Sequence, residues 1–311
     1  MRPGPAPRLR AFGPGKVILL GEHAVVYGME AVAVPLSFGV QAQAIPAAAC
    51  SLRLPLGLRG PRRHQLLRAF SVAAAATGRP AVRLALESSL PLSMGLGSSA
   101  AVSVAISSVL LQAASGDVSA ARLHRLAHRM EVVFHGTPSG VDAACSAWAV
   151  PIRFRRRGAH RPPLVRPLRV ARPFELLVAL AGVRQPTLDT VAGLRRRQAR
   201  WPARYRRLFQ EVGRLAEEGA RAAEAGELTA LGDAMNVNQG LLVALGVSSP
   251  ALDGMAAWLR EAGALGAKLT GAGGDGGAVV GLFPVGQAER ARAQLARRGV
   301  RSFVNRVQRK P

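Results

Sequence analysis

Pro91-Leu92-Ser93-Met94-Gly95-Leu96-Gly97-Ser98-Ser99-Ala100-Ala101 places two glycines and two serines directly ahead of an alanine-rich helical run. A chain with this segment must bring its backbone into a tight loop and leave it as a helix. Glycines allow close approach to phosphate oxygens. The first N–H groups of a helix lack internal partners, and the helix dipole favours negative charge there. The two serines supply hydroxyls, one expected to cap the helix and one to reach a metal ion on the phosphates. A capped core helix behind a glycine turn would look the same in isolation, so the rest of the chain has to decide.

The chain has 311 residues, enough for two domains. The uncharged stretch from Leu90 to Ser115 is broken by Gly and Ser, which favours a buried helix over a membrane span. The opening Met1-Arg2-Pro3-Gly4-Pro5-Ala6-Pro7 has no apolar core of the signal-peptide kind. Cys50 and Cys145 are far apart and outside any metal-ligand spacing, which suits a reducing cytoplasm. The net charge of +24 is spread over the whole chain, and aromatics make up only 5% of it. Base-stacking surfaces need aromatics, so no nucleic-acid partner is expected. Arginine stands almost everywhere a cation does: the only lysines are Lys16, Lys268 and Lys310. Lys16 and Lys268 lie in glycine-rich segments, which marks places where a compact ammonium is needed and a guanidinium fork is not.

Hydrophobic patterning predicts a strand at Val17–Leu20, entered through Gly13-Pro14-Gly15-Lys16 and left through Gly21-Glu22-His23. Further short strands are expected at Ala31–Pro35, Val40–Ala44, Leu52–Leu58 and Val82–Leu86, and helices at Arg62–Thr77, Ser98–Ala114 and Ser119–Phe134. Beyond Asp142 the chain reads as extended, up to a basic, proline-rich connection, Arg153–Pro173. A strand follows at Leu176–Ala181, then helices at Leu188–Gly219, Ala220–Ala225 continued by Leu228–Leu245, and Pro250–Ala262. A strand-loop-strand at Ala267–Phe283, a helix at Val285–Arg298 and a strand at Ser302–Val307 complete an α+β pattern.

Lys268-Leu269-Thr270-Gly271-Ala272-Gly273-Gly274-Asp275-Gly276-Gly277 contains a G-x-G-x-x-G spacing, but strand-like residues follow it, so it is no dinucleotide fingerprint. It reads as a glycine wall between strands. Neither a P-loop nor the protein-kinase signatures occur. Glu131, among apolar neighbours at the end of a helix, needs a metal ion or an arginine as partner. Asp142, one of six aspartates, closes the turn-rich His135-Gly136-Thr137-Pro138-Ser139-Gly140-Val141-Asp142. Beside Lys16 it would form a base-and-cation pair for a hydroxyl. His124 and His128 lack the glutamate of a zinc-protease helix and suggest an exposed helix face.

The first motif, Pro14-Gly15-Lys16-Val17-Ile18-Leu19-Leu20-Gly21-Glu22-His23-Ala24-Val25-Val26-Tyr27-Gly28, the Leu90–Ala101 loop and Lys268–Gly277 follow one another along nearly the whole chain. Together they resemble the GHMP small-molecule kinase family. The first motif and the His135–Asp142 run are most similar to its mevalonate kinase branch. The resemblance implies an N-terminal domain with a left-handed βαβ crossover over residues 1–170 and a ferredoxin-like C-terminal domain over 171–311. It implies ATP and Mg²⁺, with Gly95, Leu96, Gly97, Ser98 and Ser99 on the phosphates and Ser99 and Glu131 on the metal. Asp142 would take the proton of the substrate hydroxyl, and Lys16 would lower that hydroxyl's pKa. Glu22, His23, Thr187, Gly271 and Ala272 would complete the mevalonate site.

Three positions depart from the family pattern: Asp275 interrupts a glycine run, Met94 replaces a small residue, and Leu188 replaces a cation after Thr187. They leave open a kinase acting on another small hydroxy acid or sugar. A non-catalytic nucleotide-binding regulator is the other class, though it would have little use for Lys16, Ser99, Glu131 and Asp142 together. The expected partners are mevalonate and MgATP, with no membrane, and a homodimer is admissible.

Overall fold

The computed structural model describes residues 8–54, 58–91, 94–158, 161–181 and 187–308. Contacts divide the chain into two compact units that interleave in sequence, where one boundary near 170 was expected. The first takes the chain up to Gly15, Pro35–Pro91 and Gly97–Ala149; the second takes Lys16–Val34, Leu92–Leu96 and the chain from Val150.

Two long strands, β1 (Leu9–Leu20) and β2 (Glu30–Pro46), give residues to both units. Gly13-Pro14-Gly15 does not break β1. A Cβ at Gly13 would overlap the Ala101 carbonyl oxygen, so this glycine serves close packing and not a turn. Likewise the two short strands expected around Pro35 are one.

In the first unit, β3 (Ser51–Arg53), α1 (Gly60–Ala76) and β4 (Val82–Ser88) form a crossover whose strands pair in parallel, and β4 runs antiparallel to residues 40–46 of β2. α2 (Ser98–Ser115) packs against α1, against α3 (Ala120–His135) and against α4 (Val141–Trp148). Among the described residues α2 is the one helix long and apolar enough to cross a membrane, and 61% of it is buried inside the protein. α4 replaces the extended chain expected after Asp142; at eight residues it is too short to show a helical period.

In the second unit, residues 30–33 of β2 pair with β5 (Ile152–Arg155), which pairs with β6 (Leu164–Pro167). The supposed connection is therefore partly sheet. Arg153 ion-pairs with Glu30 at 2.6 Å, and Arg155 with Glu217, so these arginines are structural. β7 (Phe174–Ala181) precedes α5 (Thr187–Arg200), α6 (Pro202–Ala225), α7 (Leu228–Ala244) and α8 (Pro250–Glu261). The long helix expected from residue 188 breaks at Trp201, because Pro202 sits at the first position of a new helix, where its missing N–H costs nothing. Then come β8 (Gly266–Thr270), β9 (Gly277–Pro284), α9 (Ala288–Arg297) and β10 (Ser302–Val307). The sheet order β10-β7-β9-β8, antiparallel throughout, is the expected ferredoxin-like arrangement. Its core is built from Leu177, Ala179, Leu269, Val279 and Phe283 with Phe209, Leu242 and Leu259 from the helices.

Candidate active site

The second unit brings parts of all three glycine-rich motifs together. Lys16, 2% exposed, donates from its ammonium to the Gly95 carbonyl at 3.0 Å and from its backbone to the Leu96 carbonyl at 2.9 Å. The third motif closes on the same loop: a Cβ on Gly95 would lie 3.2 Å from the Thr270 oxygen, and one on Gly271 3.0 Å from the Gly95 oxygen. Both glycines have positive φ, so they are needed for conformation as well as room. The Thr270 hydroxyl ties β8 to β1, accepting from Ile18 N–H at 2.8 Å and donating to its carbonyl at 3.1 Å.

Glu22 and His23 follow the end of β1 in the same unit. Glu22 is buried and ion-paired with Lys268, and its other oxygen accepts from Asn238 Nδ2 at 3.4 Å. His23 has a backbone φ of 63°, and its Nε2 is buried without a hydrogen-bond partner. Burial first, then the Lys268 charge, lowers its pKa to about 4 against a hydrogen bond with the Ala272 backbone. Asp275 is exposed. The side chains of Thr187 and Leu188 lie outside the described residues, as do Leu92 and Ser93.

The first unit holds the oxygen donors. Gly97, and not a serine, occupies the N-cap of α2, and no side chain caps that end. The leading N–H groups are thus left for an anion. Ser98 and Ser99 form the first turn. Ser99 Oγ donates to Glu131 at 3.2 Å and lies 2.9 Å from His135 Nε2; Ser103 Oγ donates to the other Glu131 oxygen at 3.3 Å. Glu131 is 3% exposed, and two hydroxyls and a histidine meet it. A hard carboxylate and a hydroxyl this close fit Mg²⁺, which takes few protein ligands and completes its shell with water and phosphate oxygens. Asp142 stands in the first turn of α4, behind Gly140. His124 is buried, not exposed: it packs edge-on to Trp148 at 5.7 Å and its Nε2 lies 3.3 Å from the Gly140 carbonyl. Burial, His128 and Arg125 lower its pKa to about 4.

Sequence reasoning missed Ser103 and Asn238 as members of these clusters, and it set aside a metal reading of His135. The helical spacings Ser99/Ser103 and Glu131/His135 carried a signal for Ser103 and His135; Asn238 had none.

The family model for the GHMP kinases N-terminal domain matches residues 64–149, and that for the GHMP kinases C-terminal domain matches 220–301. The chain belongs to the GHMP kinase family. It is 32% identical to a mevalonate kinase of Pyrococcus horikoshii, covering 96% of this chain and 95% of the relative, and 33% identical to one of Archaeoglobus fulgidus, covering 88% and 92%. Among solved structures it is similar to L. major mevalonate kinase in complex with R-mevalonate, with a TM-score of 0.86, 25% identity and 98% of each chain covered. As a GHMP kinase it is a phosphotransferase with an alcohol acceptor, and the family uses ATP.

Proposed function

We propose that the chain transfers the γ-phosphoryl group of ATP to mevalonate, forming 5-phosphomevalonate in isoprenoid precursor synthesis in the cytoplasm. The observation that carries this reading is the gathering of Lys16, the Gly95–Leu96 loop and Thr270–Gly271 in one unit, in a chain so similar to mevalonate kinases. The backbone of Gly95–Ser99 would bind the phosphates at the uncapped start of α2. Ser99 and Glu131 would hold Mg²⁺, which when bound neutralises phosphate charge. Asp142 accepts the proton of the attacking hydroxyl, and Lys16 supplies a compact positive charge that favours the alkoxide and offsets charge on the transferring group. Glu22, His23, Thr187, Gly271 and Ala272 form the mevalonate site. Such a reaction needs in-line placement and charge stabilisation more than covalent chemistry.

A coupled ADP-release assay over mevalonate, phosphomevalonate, homoserine and galactose tests the reading. Turnover with mevalonate is expected. Activity on another acceptor but not on mevalonate would reassign the substrate, and ATP binding with no turnover on any would favour a regulator.

A further inference from the structure

Lys268 is one of three lysines in the chain, and the transfer described above gives it no step. It lies in β8 with no exposed surface. Its ammonium ion-pairs with Glu22 and donates to the carbonyls of Leu269 at 2.5 Å and Ile18 at 3.5 Å. Three donors meet three acceptors, the full capacity of the group. A buried ion pair gains little over a well-packed apolar pair, because desolvation offsets most of the attraction. Stability is therefore a poor account of a lysine here.

His23 supplies a better one. It follows Glu22 directly, in a positive-φ conformation that a side chain adopts only when its surroundings impose it. With Nε2 unpartnered, the hydrogen bond to the Ala272 backbone falls to Nδ1. The ring is neutral at pH 7, and with the Nδ1 proton donated to the Ala272 carbonyl, Nε2 is the acceptor. An acceptor sealed from water is costly until a ligand donates to it. The hydroxyl that is phosphorylated gives its proton to Asp142, so the donor to His23 is a different group, and mevalonate carries a second hydroxyl, on C3.

We propose that Lys268 is a positioning residue: its ion pair with Glu22 fixes the Glu22–His23 turn so that His23 presents Nε2 to a second, non-reacting hydroxyl of the substrate. The identity of that hydroxyl rests on the mevalonate reading; the geometry of the turn does not.

Parent, Lys268→Met, His23→Ala and the double variant form the test. Lys268→Met raises KM for mevalonate about ten-fold or more, with kcat within about three-fold and KM for ATP within about two-fold, because only orientation of a binding group is lost. If Lys268 acts through His23, the double variant is no worse than the worse single one. Additive losses, or a fall in kcat alone, overturn the proposal. Should Lys268→Met fail to fold around an unpaired Glu22, Lys268→Met with Glu22→Gln neutralises the pair. In that folded protein an altered His23 imidazole ¹⁵N signal without substrate supports positioning, and a parental signal shows that Lys268 only balances charge. Imidazole ¹⁵N spectra without substrate separate this from the substrate assignment. The parent is expected to show a neutral His23 with bare Nε2, and Lys268→Met an altered signal. An unaltered signal overturns the proposal whatever the acceptor proves to be; a parent inactive on mevalonate with an altered signal overturns only the substrate.

Discussion

Two buried glutamates, one in each unit, are kept in opposite ways. Glu22 meets a fully buried lysine, whereas Glu131 is met by the hydroxyls of Ser99 and Ser103 and by His135, which is itself 54% exposed. The first carboxylate has its cation built into the fold. The second sits among donors that a metal ion can displace or share, at the start of a helix suited to phosphates. The same contrast separates two histidines with pKa values near 4. His124 Nε2 has the Gly140 carbonyl beside it, and His23 Nε2 has no partner. In each pair one cluster is closed by partners in the fold, and the other is the one to which the proposed function gives a ligand. A buried charge therefore reports function only after its partner is known.

The largest effect is expected at Asp142, the carboxylate proposed to take the hydroxyl proton. Asp142→Asn is expected to lower kcat by ~10²–10⁴-fold, the usual range for loss of a general base. ATP Kd on the same preparation should change little. A kcat within a few-fold of the parent would remove Asp142 from the chemistry.

Lys16→Arg comes next. The ammonium is buried against the Gly95 carbonyl, and a wider guanidinium would displace the loop; a misplacement near 1 Å costs on the order of 10²-fold in rate. Full activity in the arginine variant would refute the need for a point charge.

Glu131→Gln and Ser99→Ala are each expected to raise the Mg²⁺ concentration needed for half-maximal activity by roughly 10-fold, while Glu22→Gln leaves it unchanged. Mg²⁺ titration at fixed ATP reads all three. If Glu131 and Glu22 respond alike, the distinction between a metal-holding and a lysine-paired carboxylate fails.

His124 gives a smaller, pH-dependent effect. Its pKa is 6.5 in the unfolded chain and about 4 when folded. Between those values the unfolded state binds the extra proton, so this contribution is complete above pH 6.5 and is lost as pH falls towards 4. His124→Gln removes it. Between pH 7 and 5 the parent's Tm should fall more than the variant's, by roughly 2–4 °C. Parallel curves would mean that His124 is not held neutral.

The smallest effect belongs to Asp275. It is exposed, where water screens its charge, so Asp275→Gly should change KM for ATP only about two-fold. A large fall in KM would mean that the carboxylate faces the phosphates, and a collapse of kcat would give it a role in the reaction.

Motifs and periodic segments were legible in the chain itself. Three glycine-rich runs in order, the long apolar run of α2, the helical period of α3, and strand patterns on either side of Gly271–Gly276 follow from local chemistry, because glycine, serine and apolar spacing act over a few residues. Lys268 was also marked by its survival in an arginine-rich chain. Only the tertiary structure decided what Gly13-Pro14-Gly15 does, since close packing on Ala101 is a contact with a distant helix. It alone gave Glu22 a lysine 246 residues away, Glu131 two serines from another helix, and His124 a buried place. Those partners depend on which helix and strand faces meet. Sequence periodicity says that a face exists, while packing selects what lies against it.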